Sequence, residues 1–134
     1  MRQKSEKFGI LYSPRHIKED IAAANGPFGV STLFIDLDGF KAFNTKYSES
    51  IVDRDIIPPV QKMLWDVLGG FGCPYHEGGD ELVVVLPNAT LGMAIEFAIA
   101  FRQLLRNQAI CVDNVDSIYL VASVGVAHAA PGCD

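Results

Sequence analysis

Four acids stand in two short stretches of the sequence. Asp36 and Asp38 follow an apolar run, and Asp80 and Glu81 follow Gly78-Gly79 in "YHEGGDELVVVLP". If the two stretches meet at one sheet edge, their carboxylates gather within a few ångströms. Each such pair repels by about 4 kcal/mol at an effective dielectric of about 20. A cluster of that kind needs protons or a cation. A hard divalent ion is the natural partner: Mg²⁺ (or Mn²⁺) takes one or two carboxylates and completes its shell with substrate phosphates. Taken singly, each acid reads as a solvated residue at a strand end or turn. The two pairs together, one of them beside a Gly-Gly turn, favour the cation.

Next to the first pair lies "DGFKAFN". Gly39 lets the backbone turn closely, so successive N–H groups can form an anion-binding concavity. Lys41 can add a point charge for a phosphate, and it reads equally as a solvated surface lysine. Asn44 offers a donor and an acceptor, and Asp53 offers acceptors. Together they suit a guanine edge, with the acid accepting from N1–H and the exocyclic amine. Helix capping and turn formation are the plain alternatives for both.

These residues need elements to position them. "SPRHIKEDIAAANG" reads as a helix capped by Ser13, with Pro14 in its first turn and Gly26 ending it. "VSTLFID" (30–36) is a near-continuous apolar run, the pattern of a buried central strand. "LDGFKAFNTKY" leaves it as a loop or first helical turn. Pro58-Pro59 predicts a short helix, a bend, and a second helix beginning near Pro59. "CPYHE" and "ELVVVLP" read as two strands joined at Gly78-Gly79. In "ATLGMAIEFAIAFRQLLRN" the residues Ala94, Phe97, Ala98, Phe101 and Leu105 share one helix face. "SIYLVASVGVAHA" (117–129) reads as the last strand. The order predicts an α/β fold: a mixed β-sheet with an antiparallel hairpin, flanked by helices as a sandwich. No G-x-G-x-x-G and no G-x-x-x-x-G-K-[ST] is present, so the Rossmann and P-loop readings lack their phosphate-binding parts.

At 134 residues, with 49% of them apolar, the chain suits one domain with a real core. The formal net charge of -5 argues against a broad basic surface for nucleic acid. No apolar run approaches the roughly 20 residues of a membrane helix, and no signal peptide opens the chain. Three cysteines without a C-x-x-C pair suit a reducing, cytoplasmic setting. The spacings Cys73-x-x-His76 and His128-x-x-x-x-Cys133 are weak zinc signatures. Trp65 sits within a helical apolar pattern and reads as packing.

"FIDLDGFKAFNTKY" followed by "EGGDEL", with "SVGVA" in the last strand, resembles the GGDEF domain, the catalytic domain of diguanylate cyclases. The likeness covers about residues 8–127, and residues 1–134 are expected to form a single domain of nucleotidyl-cyclase, palm-like type. The resemblance implies metal binding by Asp36, Asp80 and the Leu37 carbonyl. It implies that Glu81 binds metal or activates the attacking hydroxyl, with Asp80 and Glu81 as the catalytic acids. It implies phosphate contacts from Gly39, Phe40 and Lys41, guanine reading by Asn44 and Asp53, and a base pocket lined by Leu11. The implied reaction condenses two GTP into cyclic di-GMP with release of pyrophosphate, across a homodimer, under a sensor or regulatory domain of the full-length protein. A GTP-binding regulatory module without turnover, or a related cyclase with another product, are the alternatives.

The sequence departs from the family pattern in places. Leu82 replaces the final Phe of the signature. "YSESIVD" replaces Y-G-H-x-x-G-D before Asp53, and His76 stands where Arg is frequent. Gly69 and Gly72 occupy both ends of the R-x-x-D motif, so no inhibitory product site is expected. The opening "LTGLPNRR" survives faintly as "GILYSPRH", and the sequence stops before the family's further C-terminal helix, so either it is a fragment or the phosphate-binding Lys of that helix is missing.

Overall fold

The computed structural model describes residues 3–132, so Cys133 of the weak zinc spacing lies outside the described residues. Ser13 caps a short 3-10 turn, Pro14–His16, through a contact from the Arg15 N–H. Helix α1 then runs over Ile17–Ala24. Gly26 does not end it with a left-handed cap. Its lack of a Cβ instead admits the Asn88 side chain, whose Oδ1 would stand 2.7 Å from one.

Strand β1 (Val30–Leu37) leads through a turn into α2 (Phe40–Tyr47) and the single turn α3 (Glu49–Ile51). A π-helical segment, Val52–Ile56, joins α3 to α4 (Ile57–Leu68). Strands β2 (Cys73–His76) and β3 (Glu81–Pro87) form the hairpin, followed by α5 (Leu91–Asn107). A small ladder of β4 (Ile110–Val112) and β5 (Asp116–Ile118) precedes β6 (Ala122–Ala129).

The main sheet has the order β2-β3-β1-β6 and every pairing within it is antiparallel. Its mixed character is confined to an isolated parallel bridge between Tyr12 and Tyr75. β1 lies between two partners, as a central strand should. On one face Leu33, Ile35 and Leu37 of β1 and Leu82, Val84 and Leu86 of β3 meet α4 and α5 through Val60, Leu64, Ala94, Ala98 and Phe101. On the other face Val30, Val83, Val85 and Tyr75 meet Ile17 and Ile21 of α1. Each fully buried aliphatic side chain contributes about 1.5–3 kcal/mol relative to exposure.

Three further expectations change. Residues 49–68 follow one helical path and do not bend apart at the prolines. Pro58 and Pro59 have no N–H to give to carbonyls four residues back. The turn before them widens, and the Ile57 N–H reaches the Val52 carbonyl five residues back. Residues 40–47 form a full helix, because Gly39 takes a left-handed φ of 67° and starts it. The span 117–129 is two strands. β5 pairs with β4 across a turn in which Asp113 and Asn114 are both left-handed, a conformation these residues tolerate.

Candidate functional site

The carboxylates meet because of strand register. Asp36 pairs across the ladder with Glu81, and the Leu37 N–H donates to the Asp80 carbonyl at 3.1 Å on the next rung. Leu33, Ile35 and Leu37 anchor this register by facing the core, since a one-residue slip would bury Asp36 instead. The charges press on one another. Desolvation first, then a hydrogen bond and charge from Asp80, then Glu81 and Asp38, hold the Asp36 carboxyl above its ordinary range. Asp38 itself turns toward β6, where its Oδ1 accepts from Ser123 Oγ at 2.7 Å.

Among the described residues no group of three or more His, Cys, Asp or Glu side chains forms a ready metal cage. Asp36 and Asp80 are two hard oxygen donors on adjacent rungs, with Glu81 and Asp38 close enough to act on Asp36 as like charges. That donor set fits a divalent ion completing its shell with oxygens of a bound ligand.

The hairpin turn is wider than the two-residue reversal that Gly-Gly predicts. Residues 77–80 separate the strands, and the Glu77 and Gly78 N–H groups both donate to the Glu81 carbonyl at 3.2 Å. Neither Gly78 nor Gly79 has a positive φ, and a Cβ on Gly79 would touch nothing within 4 Å. A Cβ on Gly78 would meet only the Glu81 Cβ, at 3.8 Å, so the turn is open on this side.

The remaining candidates are spread around this edge. Lys41 is exposed, on the first turn of α2. The Phe40 side chain packs in the core, leaving only its backbone for a ligand. Asn44 lies further along α2, with its Oδ1 buried and lacking a hydrogen-bond partner. Asp53 lies in the π-helical segment, and Lys7 Nζ sits 3.0 Å from its Oδ2. Leu11 is fully buried, so in this conformation it lines no open pocket. Its carbonyl accepts the Ser5 N–H at 2.8 Å, and the folded-back N-terminal residues cover it.

An open groove of about 520 Å³ adjoins the carboxylates. It is lined by Ile17 and Ile21 of α1, by Phe34, Asp36, Glu81 and Val83 of the sheet, and by neighbouring residues. It reaches none of Lys41, Asn44 or Asp53. The sequence reading passed over Phe34, which is 53% exposed. Period-two alternation is the signal that finds it, because Phe34 shares the Asp36 face of β1. His76, a departure from the family pattern and part of a weak zinc spacing in the sequence, packs here against the N-terminal residues. Its ring is 5.6 Å from that of Phe8, its Nδ1 is 3.2 Å from Ser5 Oγ, and burial lowers its pKa.

An antiparallel sheet between helical layers, carrying acids from its central strand and from a Gly-Gly hairpin on one edge, defines a nucleotidyl-cyclase-like domain. A family profile described as "Diguanylate cyclase, GGDEF domain" matches residues 11–133, and the chain belongs to that family. It is 28% identical over 107 residues to the uncharacterized protein YhcK of Bacillus subtilis (strain 168), covering 79% of this chain and 30% of that protein. The chain thus spans less than a third of that relative's length. The fold is similar to the FimX GGDEF domain from Pseudomonas aeruginosa, with a TM-score of 0.86, 17% identity, and coverage of 100% of this chain and 84% of the other. It is also similar to the GGDEF domain of DgcB from Caulobacter crescentus, solved in complex with c-di-GMP. That TM-score is 0.83, with 18% identity and coverage of 97% and 79%.

Proposed function

We propose that this chain is a diguanylate cyclase domain that condenses two GTP into cyclic di-GMP and releases two pyrophosphates. The observation that carries this reading is the register that sets Asp36 opposite Glu81, with Asp80 on the adjoining rung. Asp36, Asp80 and the Leu37 carbonyl would hold a divalent cation. When bound, that ion lowers the pKa of an attacking hydroxyl and offsets charge at a phosphate. Backbone N–H groups after Gly39 and the Lys41 ammonium would orient the phosphates. The bare Gly78-Gly79 turn would admit them close to the backbone. Asn44 and Asp53 would read the guanine edge, a role supported by the partnerless Asn44 Oδ1. Glu81 is exposed at the rim, where it can take a proton from the ribose 3′-hydroxyl. Each subunit would hold one GTP, and two facing subunits would complete the ring.

A second reading, GTP binding without turnover, is favoured by the altered stretch before Asp53, where Ser48 holds a φ of 80°. One experiment separates the two. The purified protein is incubated with GTP and Mg²⁺, and pyrophosphate and cyclic dinucleotide are measured. Product at concentrations that permit dimers supports the cyclase. Tight GTP binding with no pyrophosphate supports the binding module instead.

A further inference from the structure

Residues 3–13 fold back as a small hairpin. Lys4 bridges to Tyr12, the Ser5 N–H donates to the Leu11 carbonyl at 2.8 Å, and the Ser13 N–H donates to the Gln3 carbonyl at 2.7 Å. Phe8 and Gly9 are both left-handed, with φ of 72° and 66°. A bulky residue in that conformation is strained, and it persists only where its surroundings hold it. Here the strained tip sets Phe8 against His76 and Lys7 against Asp53. The hairpin's other end is pinned by Lys4, whose ammonium lies 3.3 Å from the centroid of a Trp65 ring.

We propose that this hairpin is a self-occupying lid, in which Lys7 holds the Asp53 carboxylate against an incoming purine. The proposal rests on the reading of Asp53 as a guanine acceptor. Guanine N1–H and its exocyclic amine together call on both Asp53 oxygens, and Lys7 Nζ already sits 3.0 Å from Oδ2, so lysine and base compete for that oxygen. The Lys7 side chain is 55% exposed and that of Asp53 is 32% exposed, so the pair is weak and reversible. The lid therefore lowers apparent affinity by the fraction of molecules in which it is open, without abolishing binding.

Titration of the full chain with GTP in Mg²⁺ tests this, by calorimetry and by emission of the chain's one tryptophan, Trp65. GTP should change Trp65 emission as Lys4 moves off the ring. Lys7→Met keeps the aliphatic stem and should lower the Kd for GTP by roughly twofold to fivefold, the range of an exposed ion pair. Asp53→Asn should weaken binding and make Lys7→Met silent in the double variant. If Asp53→Asn weakens binding while Lys7→Met leaves it unchanged or weaker, the lid is overturned and the guanine site stands. If Asp53→Asn leaves GTP binding unchanged, the guanine site is overturned and the lid with it.

Discussion

Asp80 acts twice, through its backbone and through its side chain. Its carbonyl extends the β1–β3 ladder by one rung, and its carboxyl raises the pKa of Asp36. Asp80→Asn should keep the rung and remove the charge. The Asp36 carboxyl should then titrate lower, though still above its usual range because desolvation remains, as read by carbon NMR of the side-chain carboxyl. A carboxyl whose folded pKa is raised loses stability as pH rises through that pKa. The same variant should therefore melt higher at neutral pH, while Mg²⁺-dependent turnover of GTP falls by about 100-fold or more. His76 runs the other way. Burial, with a smaller push from Lys7, lowers its pKa, so folding favours the neutral ring. Its contribution is complete above the ordinary value of 6.5 and is lost as pH falls through the folded pKa. Chemical denaturation across pH 5 to 8 should show this slope in the parent and lose it in His76→Gln. A flat profile in the parent would count against the half-buried neutral ring. At this scale the acids and glycines of the site were legible in the sequence. Lys7 was not, because a lone lysine far from Asp53 in sequence carries no periodic or spacing signal.

The loop before Asp53 shows how an element absorbs a lost glycine. Ser48 holds φ 80° and ψ 154°, a region that suits glycine, and its hydroxyl receives only a long contact of 3.4 Å from the Ile51 N–H. Backbone strain of this kind costs about 1–3 kcal/mol, and a well-made cap returns about 1. Ser48→Gly should accordingly raise stability by about 1 kcal/mol, read as a higher urea midpoint at unchanged slope. A fall in the midpoint would mean that the cap outweighs the strain. The π-helical turn is a second adaptation, since it carries the chain past Pro58-Pro59 without a break and presents Asp53 on the way. The prolines announce a disturbance in the sequence, but their effect depends on whether neighbouring packing keeps the helix together. Val52, Ile56 and Ile57 are all buried, and that burial favours the continuous path.

For the whole molecule, the proposed scheme, with one GTP held by each of two facing subunits, predicts that specific activity rises with protein concentration and levels off once dimers dominate. Initial rates alongside sedimentation would check this, and concentration-independent activity would sink the facing-subunit scheme. No helix among the described residues is long and apolar enough to cross a membrane. The sequence by itself determined the alternation of strands and helices, the amphipathic face of α5 and the acids at the strand ends. These follow from local periodicity and residue type, which need no partner to be read. Tertiary structure alone decided that every main-sheet pairing is antiparallel, that the span from Asp116 serves two strands, and that Lys7 rests on Asp53. Such outcomes depend on contacts between residues far apart in the chain, whose energies are set by packing and not by any local preference.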